Sequence, residues 1–280
     1  MTLRSGQAFR WRMLEDGSWL GAVEGLAVRM LHADGVLRWQ TYPERGRWDV
    51  VENLLALDVD AEALWRGWEE AVPAAAEPLR RTLGLRVLRQ PAVEVLFGFV
   101  CATCNTVVKI ERSVRALAEL YGEPICVWDG ASVYAFPTLP ALAGADEGAL
   151  RRALWGFRAP RVPETARVLL ERGEGWLGSL RGVEYSCAHR ALMGLPGLGA
   201  KVSDCVALFG LWHPAAVPVD THVRRIAVEL FHTELGNRSL TPGVYNTLAD
   251  AMRAGFGEYA GWAQQALFYD AFSAKHADRP

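Results

Sequence analysis

At 280 residues, 51% of them apolar and 22% charged, the chain is long enough to bury the core of two or three lobes and too apolar to be disordered. A net charge of −2 gives no overall pull toward a polyanion, and no apolar run reaches the ~18 residues of a membrane-spanning helix. Five cysteines (101, 104, 126, 187 and 205) are odd in number and irregularly spaced, which argues against a disulfide framework and for reduced thiols.

The N-terminal MTLRSGQAFRWR lacks an apolar signal core, so an intracellular protein is expected. Residues 6–42 carry strand signals, with alternation around Phe9–Leu14, Trp19–Val23, Ala27–Leu31 and Val36–Tyr42. Asp16-Gly17 and Asp34-Gly35 are hairpin dipeptides. Within FRWR the pattern predicts aromatic residues facing in and arginines facing out. Helical spacing follows over 49–57 and 60–72. From Pro91 onward the pattern predicts helix throughout: 91–102, 106–121, 138–143, 147–154, 163–172, 184–193, 201–210, 221–232, 243–254 and 260–272. The fold class is therefore α+β: a β-rich domain over 1–75 and a two-lobed helical domain over 76–280, with a cleft between the helical lobes.

Charge is unevenly placed. Residues 44–80 are acidic, whereas 151–172 carry six Arg against two Glu, which reads either as a local basic binding face or as an ordinary solvated one. Cys101-x-x-Cys104 has no second pair and no cysteine follows Cys205, so neither a zinc site nor a four-cysteine cluster is expected.

The most informative stretch is 188–231, AHRALMGLPGLGAKVSDCVALFGLWHPAAVPVDTHVRRIAVELF. It reads as helix, Gly/Pro hairpin, helix (188–210), a loop over 211–222, and a third helix. Gly197 and Gly199 permit positive φ, and Pro196 cannot extend the helix before it. A glycine-rich turn opening a helix presents free N–H groups to a phosphate, and it is also ordinary packing. Lys201, one of only three lysines against 27 arginines, stands at the start of the second helix. There, the helix dipole and desolvation disfavour its charged form and leave more neutral amine as a nucleophile. Asp220 in PVDTH is placed to stabilise a substrate cation, and it also reads as the N-cap of the helix that follows.

LPGLGAKVSDC followed by AVPVDTHVRRIA resembles the helix-hairpin-helix, Gly/Pro-rich loop and aspartate signature of the DNA glycosylase superfamily, and more closely the 8-oxoguanine DNA glycosylase family. The resemblance runs from Gly6 to about Phe268. It implies that Lys201 and Asp220 are catalytic, in a bifunctional glycosylase and AP lyase of base excision repair acting on duplex DNA that carries an oxidised purine.

A base-excising enzyme must flip the nucleotide out of the stack into a pocket. Cys205 follows Lys201 by one turn, and Gln264 and Phe268 are also i and i+4; by spacing alone these are core or pocket. The resemblance implies that Cys205 and Phe268 sandwich the purine and that Gln264 reads its Watson–Crick edge. GQ-x-FRWR matches residues 6–12, with the Gly6 carbonyl accepting from the N7–H that distinguishes 8-oxoguanine from guanine. His222 matches a phosphate contact. Phe157-Arg158 matches a Tyr-Arg pair, in which the aromatic ring wedges into the gap and the arginine holds the orphaned cytosine. The resemblance also implies that Gly197 and Gly199 hold phosphate, with a monovalent cation at the hairpin backbone and no other cofactor expected. CATCNTVVKI departs from the pattern: of three consecutive asparagines only Asn105 remains, with Lys109 in place of an arginine, which puts a strict demand for cytosine opposite the lesion in doubt.

With no targeting signal and no spanning run, a cytoplasmic or nucleoid protein that works as a monomer away from membranes is expected. The alternatives are an alkylpurine glycosylase, against which Lys201 counts, and a helix-hairpin-helix DNA-binding module without chemistry.

Overall fold

The computed structural model describes residues 1–231, 235 and 239–277. Its N-terminal part is a four-stranded antiparallel meander of β1 (Arg12–Met13), β2 (Trp19–Val23), β3 (Leu26–Ala33) and β4 (Val36–Tyr42). At the β3–β4 turn Asp34 and Gly35 both take positive φ, 53° and 73°, the conformation in which an Asp-Gly hairpin matches strand twist. The expected strand over 9–14 shrinks to two residues. Arg10 is also not turned outward: its guanidinium meets both carboxylate oxygens of Glu94, at 2.8 and 2.6 Å, and the Tyr134 carbonyl at 2.8 Å. A partner 84 residues away overrides the local alternation.

Sixteen further elements complete the described chain, apart from short 3₁₀ turns. They are α1 (Trp48–Leu54), α2 (Ala61–Ala71), α3 (Ala76–Arg81), α4 (Ala92–Ala102), α5 (Val107–Tyr121), β5 (Pro124–Trp128), β6 (Ala131–Tyr134), α6 (Leu139–Ala143), α7 (Glu147–Arg152), α8 (Arg161–Arg172), α9 (Trp176–Ser179), α10 (Tyr185–Met193), α11 (Ala200–Phe209), α12 (Thr221–Phe231), α13 (Pro242–Phe256) and α14 (Ala260–Ala277). The β5–β6 hairpin corrects the expectation of helix throughout from Pro91. It turns on Asp129-Gly130, both at positive φ, and its Val133 packs with Leu20, Ala22 and Ala27 of the N-terminal sheet. The opposite sheet face buries Trp11, Val28 and Met30 against Val50, Val51 and Leu54 of α1.

The helical body is organised around α11, buried continuously from Val202 to Phe209. Phe209 stacks on Phe99 of α4, with ring centres 5.4 Å apart and planes 11° apart. The N-terminal segment is tied to this body by glutamines. Gln7 donates through Nε2 to the Arg86 carbonyl at 2.8 Å and accepts through Oε1 from Leu88 N–H at 2.7 Å. Gln265 of α14 donates to the Ser5 carbonyl at 2.7 Å. These bonds on either side of Gly6 bring the start of the chain against its last helix.

Candidate active site

The turn between α10 and α11 is built by Leu195-Pro196-Gly197-Leu198-Gly199. Gly197 takes φ +79°, where a side chain would be strained, and Thr165 of α8 holds the turn by donating to the Pro196 carbonyl at 3.0 Å. Gly199 stays at φ −100° as the N-cap of α11, so only Gly197 of the two uses glycine's left-handed freedom. Both glycines are exposed, and no side-chain bond caps α11. The turn therefore leaves backbone N–H groups facing solvent at the positive end of a helix.

Lys201 is the second residue of α11. Its Nζ lies 5.1 Å from the centre of the Phe99 ring, which supports the long side chain along an apolar surface. Asp220 ends the loop that returns from α11 and caps α12: its Oδ1 accepts from His222 N–H at 2.8 Å and from Val223 N–H at 2.9 Å. Both capping bonds fall on one oxygen; Oδ2 carries neither. Lys201 and Asp220 line one cleft of about 1180 Å³, together with Gly197, Gly199, Asn105 and His222. Their fields meet at Cys205, a helical turn beyond Lys201. Burial pushes its thiol up to about 12, the charges of Asp204 and Asp220 add to the rise, and Lys201 opposes it. The thiol is therefore neutral near pH 7 and no competing nucleophile, and Cys205 lies buried behind the cleft rather than among the residues that line it.

The other expected pocket residues lie around Phe268. A Cβ placed on Gly6 would stand 3.6 Å from Phe268 Cε1, and Gly6 takes φ +75°. The Phe268 ring meets His222 edge-on with centres 5.9 Å apart, joining this wall to the cleft. Neighbouring Gln264 and Gln265 differ in their satisfaction. Gln265 holds Ser5, whereas Gln264 is 4% exposed and its Oε1 has no hydrogen-bond partner among the described residues. An unmet buried acceptor costs about 1–3 kcal/mol, and a ligand's N–H donor would remove that cost.

Phe157 and Arg158 behave oppositely. Phe157 is 65% exposed, a large ring projecting from the surface. Arg158 is buried and donates to the carbonyls of Thr103 and Cys104, so it braces the loop that carries Asn105 into the cleft. Asn105 bonds its own turn, donating to the Cys101 carbonyl at 3.1 Å and accepting from Thr106 N–H at 3.0 Å. The arginine-rich stretch 151–172 is less available than its composition implied. Arg151 pairs with Glu147, Arg161 with Glu164, and Arg158 is internal.

A second polar group at the same cleft was not legible in the sequence. Asp204, wholly buried, accepts from the phenols of Tyr185 and Tyr245, and His189 Nε2 lies 3.6 Å away. Burial raises the Asp204 carboxyl above its ordinary value. Burial and the charge of Asp204 push both tyrosines far above theirs, so both phenols keep their protons and donate. The i, i+4 pair Tyr185 and His189 was the available signal, though helical spacing alone does not point it at Asp204. Among the described residues no cluster of His, Cys, Asp and Glu could hold a metal ion, and no helix is long and apolar enough to cross a membrane.

The chain is similar to known proteins both in sequence and in fold. Residues 1–96 match a family model described as the N-terminal domain of 8-oxoguanine DNA glycosylase. The chain is 34% identical to an N-glycosylase/DNA lyase of Arabidopsis thaliana, covering 96% of this chain and 75% of that one. It is 31% identical to the N-glycosylase/DNA lyase of Saccharomyces cerevisiae, covering 95% and 81%. In three dimensions it resembles the Clostridium acetobutylicum 8-oxoguanine glycosylase/lyase solved with duplex DNA containing cytosine opposite the lesion. There the TM-score is 0.86 at 26% identity, over 97% of this chain and 90% of that one.

Proposed function

Because the chain belongs to the 8-oxoguanine DNA glycosylase family, we infer that the cleft between Lys201 and Asp220 receives a flipped 8-oxoguanine nucleotide. The protein is a bifunctional DNA glycosylase and AP lyase whose substrate is duplex DNA. The observation that carries the site assignment is that the amine of Lys201 and the carboxylate of Asp220, on different elements, line one cavity large enough for a nucleotide.

In this reading the unprotonated Lys201 amine forms a bond to C1′ as the bond from C1′ to the base breaks. Asp220 stabilises the positive charge that develops on the sugar. Its fixation by α12 means that little reorganisation is needed when that charge appears. Breaking of the C1′–O4′ bond, with a proton passing from the nitrogen to O4′, opens the sugar to a Schiff base; this makes the C2′ proton acidic, and its loss expels the 3′ phosphate and nicks the strand. Phe268 and the neutral Cys205 supply the apolar faces for the base. The unpaired Gln264 oxygen supports a role in accepting from a base N–H, and the constrained Gly6 one in presenting its carbonyl to N7–H. The exposed backbone at Gly197 and Gly199 fits a DNA phosphate or a monovalent cation beside it, and His222 a phosphate near the lesion. Phe157 is assigned the wedge. Asn105 is assigned to the face that meets the opposite strand, with Arg158 holding its loop from behind.

We divide the chain into 1–75 and 76–280, with the β5–β6 hairpin standing spatially with the first part. Gel assays on duplexes carrying 8-oxoguanine, 3-methyladenine or no lesion test the assignment. Base loss and nicking confined to 8-oxoguanine are expected. Preference for the alkylated base, or tight binding without base loss, would replace this reading with an alkylpurine glycosylase or a non-catalytic binding module.

A further inference from the structure

The hydroxyl of Tyr245 bonds a near neighbour of each member of the reacting pair. It donates to Oδ2 of Asp204, the residue one turn beyond Lys201 on α11. It also accepts from the backbone N–H of Val219, the residue immediately before Asp220, at 3.2 Å. Tyr245 itself is largely buried on α13, at 6% exposed. Three parts of the chain therefore meet at one oxygen atom: the helix that carries the amine, the loop segment that delivers the carboxylate, and α13. Tyr185 bonds the other oxygen of the same carboxylate, and among the described residues no hydrogen bond joins its hydroxyl to the segment before Asp220.

We infer that Tyr245 is a positioning residue, which sets the separation of Lys201 and Asp220 by bridging Asp204 to the Val219 backbone. The inference rests on the reading that Lys201 and Asp220 form the reacting pair. The physical reason is sensitivity to geometry: amine and carboxylate must both reach C1′, and a misplacement of roughly 1 Å can cost about a hundredfold in rate. A backbone N–H donor opposite a buried carboxylate is joined through the one group, a hydroxyl, that donates to one and accepts from the other. Phenylalanine fills the same space but leaves both ends of the bridge unmet. The substitution thus removes the link while keeping the packing.

The test compares Tyr245→Phe with Tyr185→Phe, since each removes one phenol from Asp204 but only the first breaks the bridge. Three readouts are taken: single-turnover release of 8-oxoguanine, affinity for a duplex with a tetrahydrofuran abasic analogue, and thermal unfolding. Tyr245→Phe is expected to slow base release about tenfold or more, with affinity kept within about twofold. Tyr185→Phe is expected to stay within about threefold of the unaltered protein in base release. Asp204→Asn, which keeps an acceptor but loses the charge, serves as the second variant and is expected to slow base release with affinity kept. Base release unchanged in Tyr245→Phe overturns the inference, as do equal losses in the two tyrosine variants or a loss that tracks affinity and unfolding together. If the unaltered protein releases no base while binding the duplex, the functional reading fails instead, and the two failures are told apart by that control.

Discussion

Gly6 and Phe268, near opposite ends of the chain, form one wall: the Cβ position of Gly6 lies 3.6 Å from the Phe268 ring. The contact exists because Gln7 and Gln265 tie the N-terminal segment to the 86–88 backbone and to α14. Gly6→Ala has room for its methyl, but the +75° φ makes any L side chain strained there. The variant is expected to lose about 1–2 kcal/mol of stability, measured by urea unfolding, and to release 8-oxoguanine more slowly. Unaltered excision would remove Gly6 from lesion recognition.

Asp220 combines a structural role with a chemical one, and one substitution separates them. Asparagine retains an oxygen to accept from His222 and Val223 N–H and is as good an N-cap as aspartate. Asp220→Asn is therefore expected to unfold at nearly the same temperature as the parent and to lose turnover by about 10²–10³. Activity equal to the parent's would take the carboxylate charge out of the mechanism.

Adjacent residues 157 and 158 are expected to fail in different ways. Phe157→Ala removes an exposed ring, so stability should hold while affinity for lesion duplex falls by about 1–3 kcal/mol of lost base stacking. Arg158→Ala strands the Thr103 and Cys104 carbonyls, with an expected stability loss of about 1–3 kcal/mol. Thermal melts and fluorescence anisotropy on both variants decide it; equal melting-point losses would contradict the assignment.

Asp204 predicts a pH dependence of stability. Burial raises its carboxyl in the folded state, so above the ordinary value of 3.8 the native protein holds a proton that the unfolded chain has released. Stability from this group is complete below that value and declines as pH rises through the raised one. Against burial, the charge of His189, the hydrogen bonds from Tyr185 and Tyr245 and the charge of Arg253 all pull its pKa back down. Asp204→Asn removes the titration. The difference in melting temperature, variant minus parent, should therefore shift in the variant's favour as pH is raised from 4 toward neutrality, with His189→Gln as the control for the neighbouring imidazole. A difference independent of pH would show that Asp204 does not titrate with folding.

Local chemistry explains what was readable from the residues alone. The Asp-Gly dipeptides at 16–17 and 34–35 announced the meander, and apolar periodicity located α11 and α12 to within a residue or so. Asp129-Gly130 carried the same signal for the β5–β6 hairpin, but its strands are short, begin at Pro124 and pair irregularly between Pro124 and Cys126, so alternation was weak. Lys201 and Asp220 stood out because each sits at a helix start with a visible turn before it. Arg10 did not, since its environment is set by Glu94 and Tyr134, and neither did the Asp204 cluster, assembled from three helices with partners 19 and 41 residues away. Gln264 and Gln265 are indistinguishable in sequence; only packing decides which amide is spent on Ser5 and which oxygen is left unmet.

The central claim is that Lys201 attacks the sugar of the damaged nucleotide, and borohydride trapping measures it most directly. Incubating the protein with an 8-oxoguanine duplex and sodium borohydride should reduce the Schiff base to a stable protein–DNA adduct, with peptide mapping placing the DNA on Lys201. Lys201→Gln should give no adduct while still binding the duplex. An adduct that survives in Lys201→Gln, or base release by the parent protein with no adduct at all, would contradict the account.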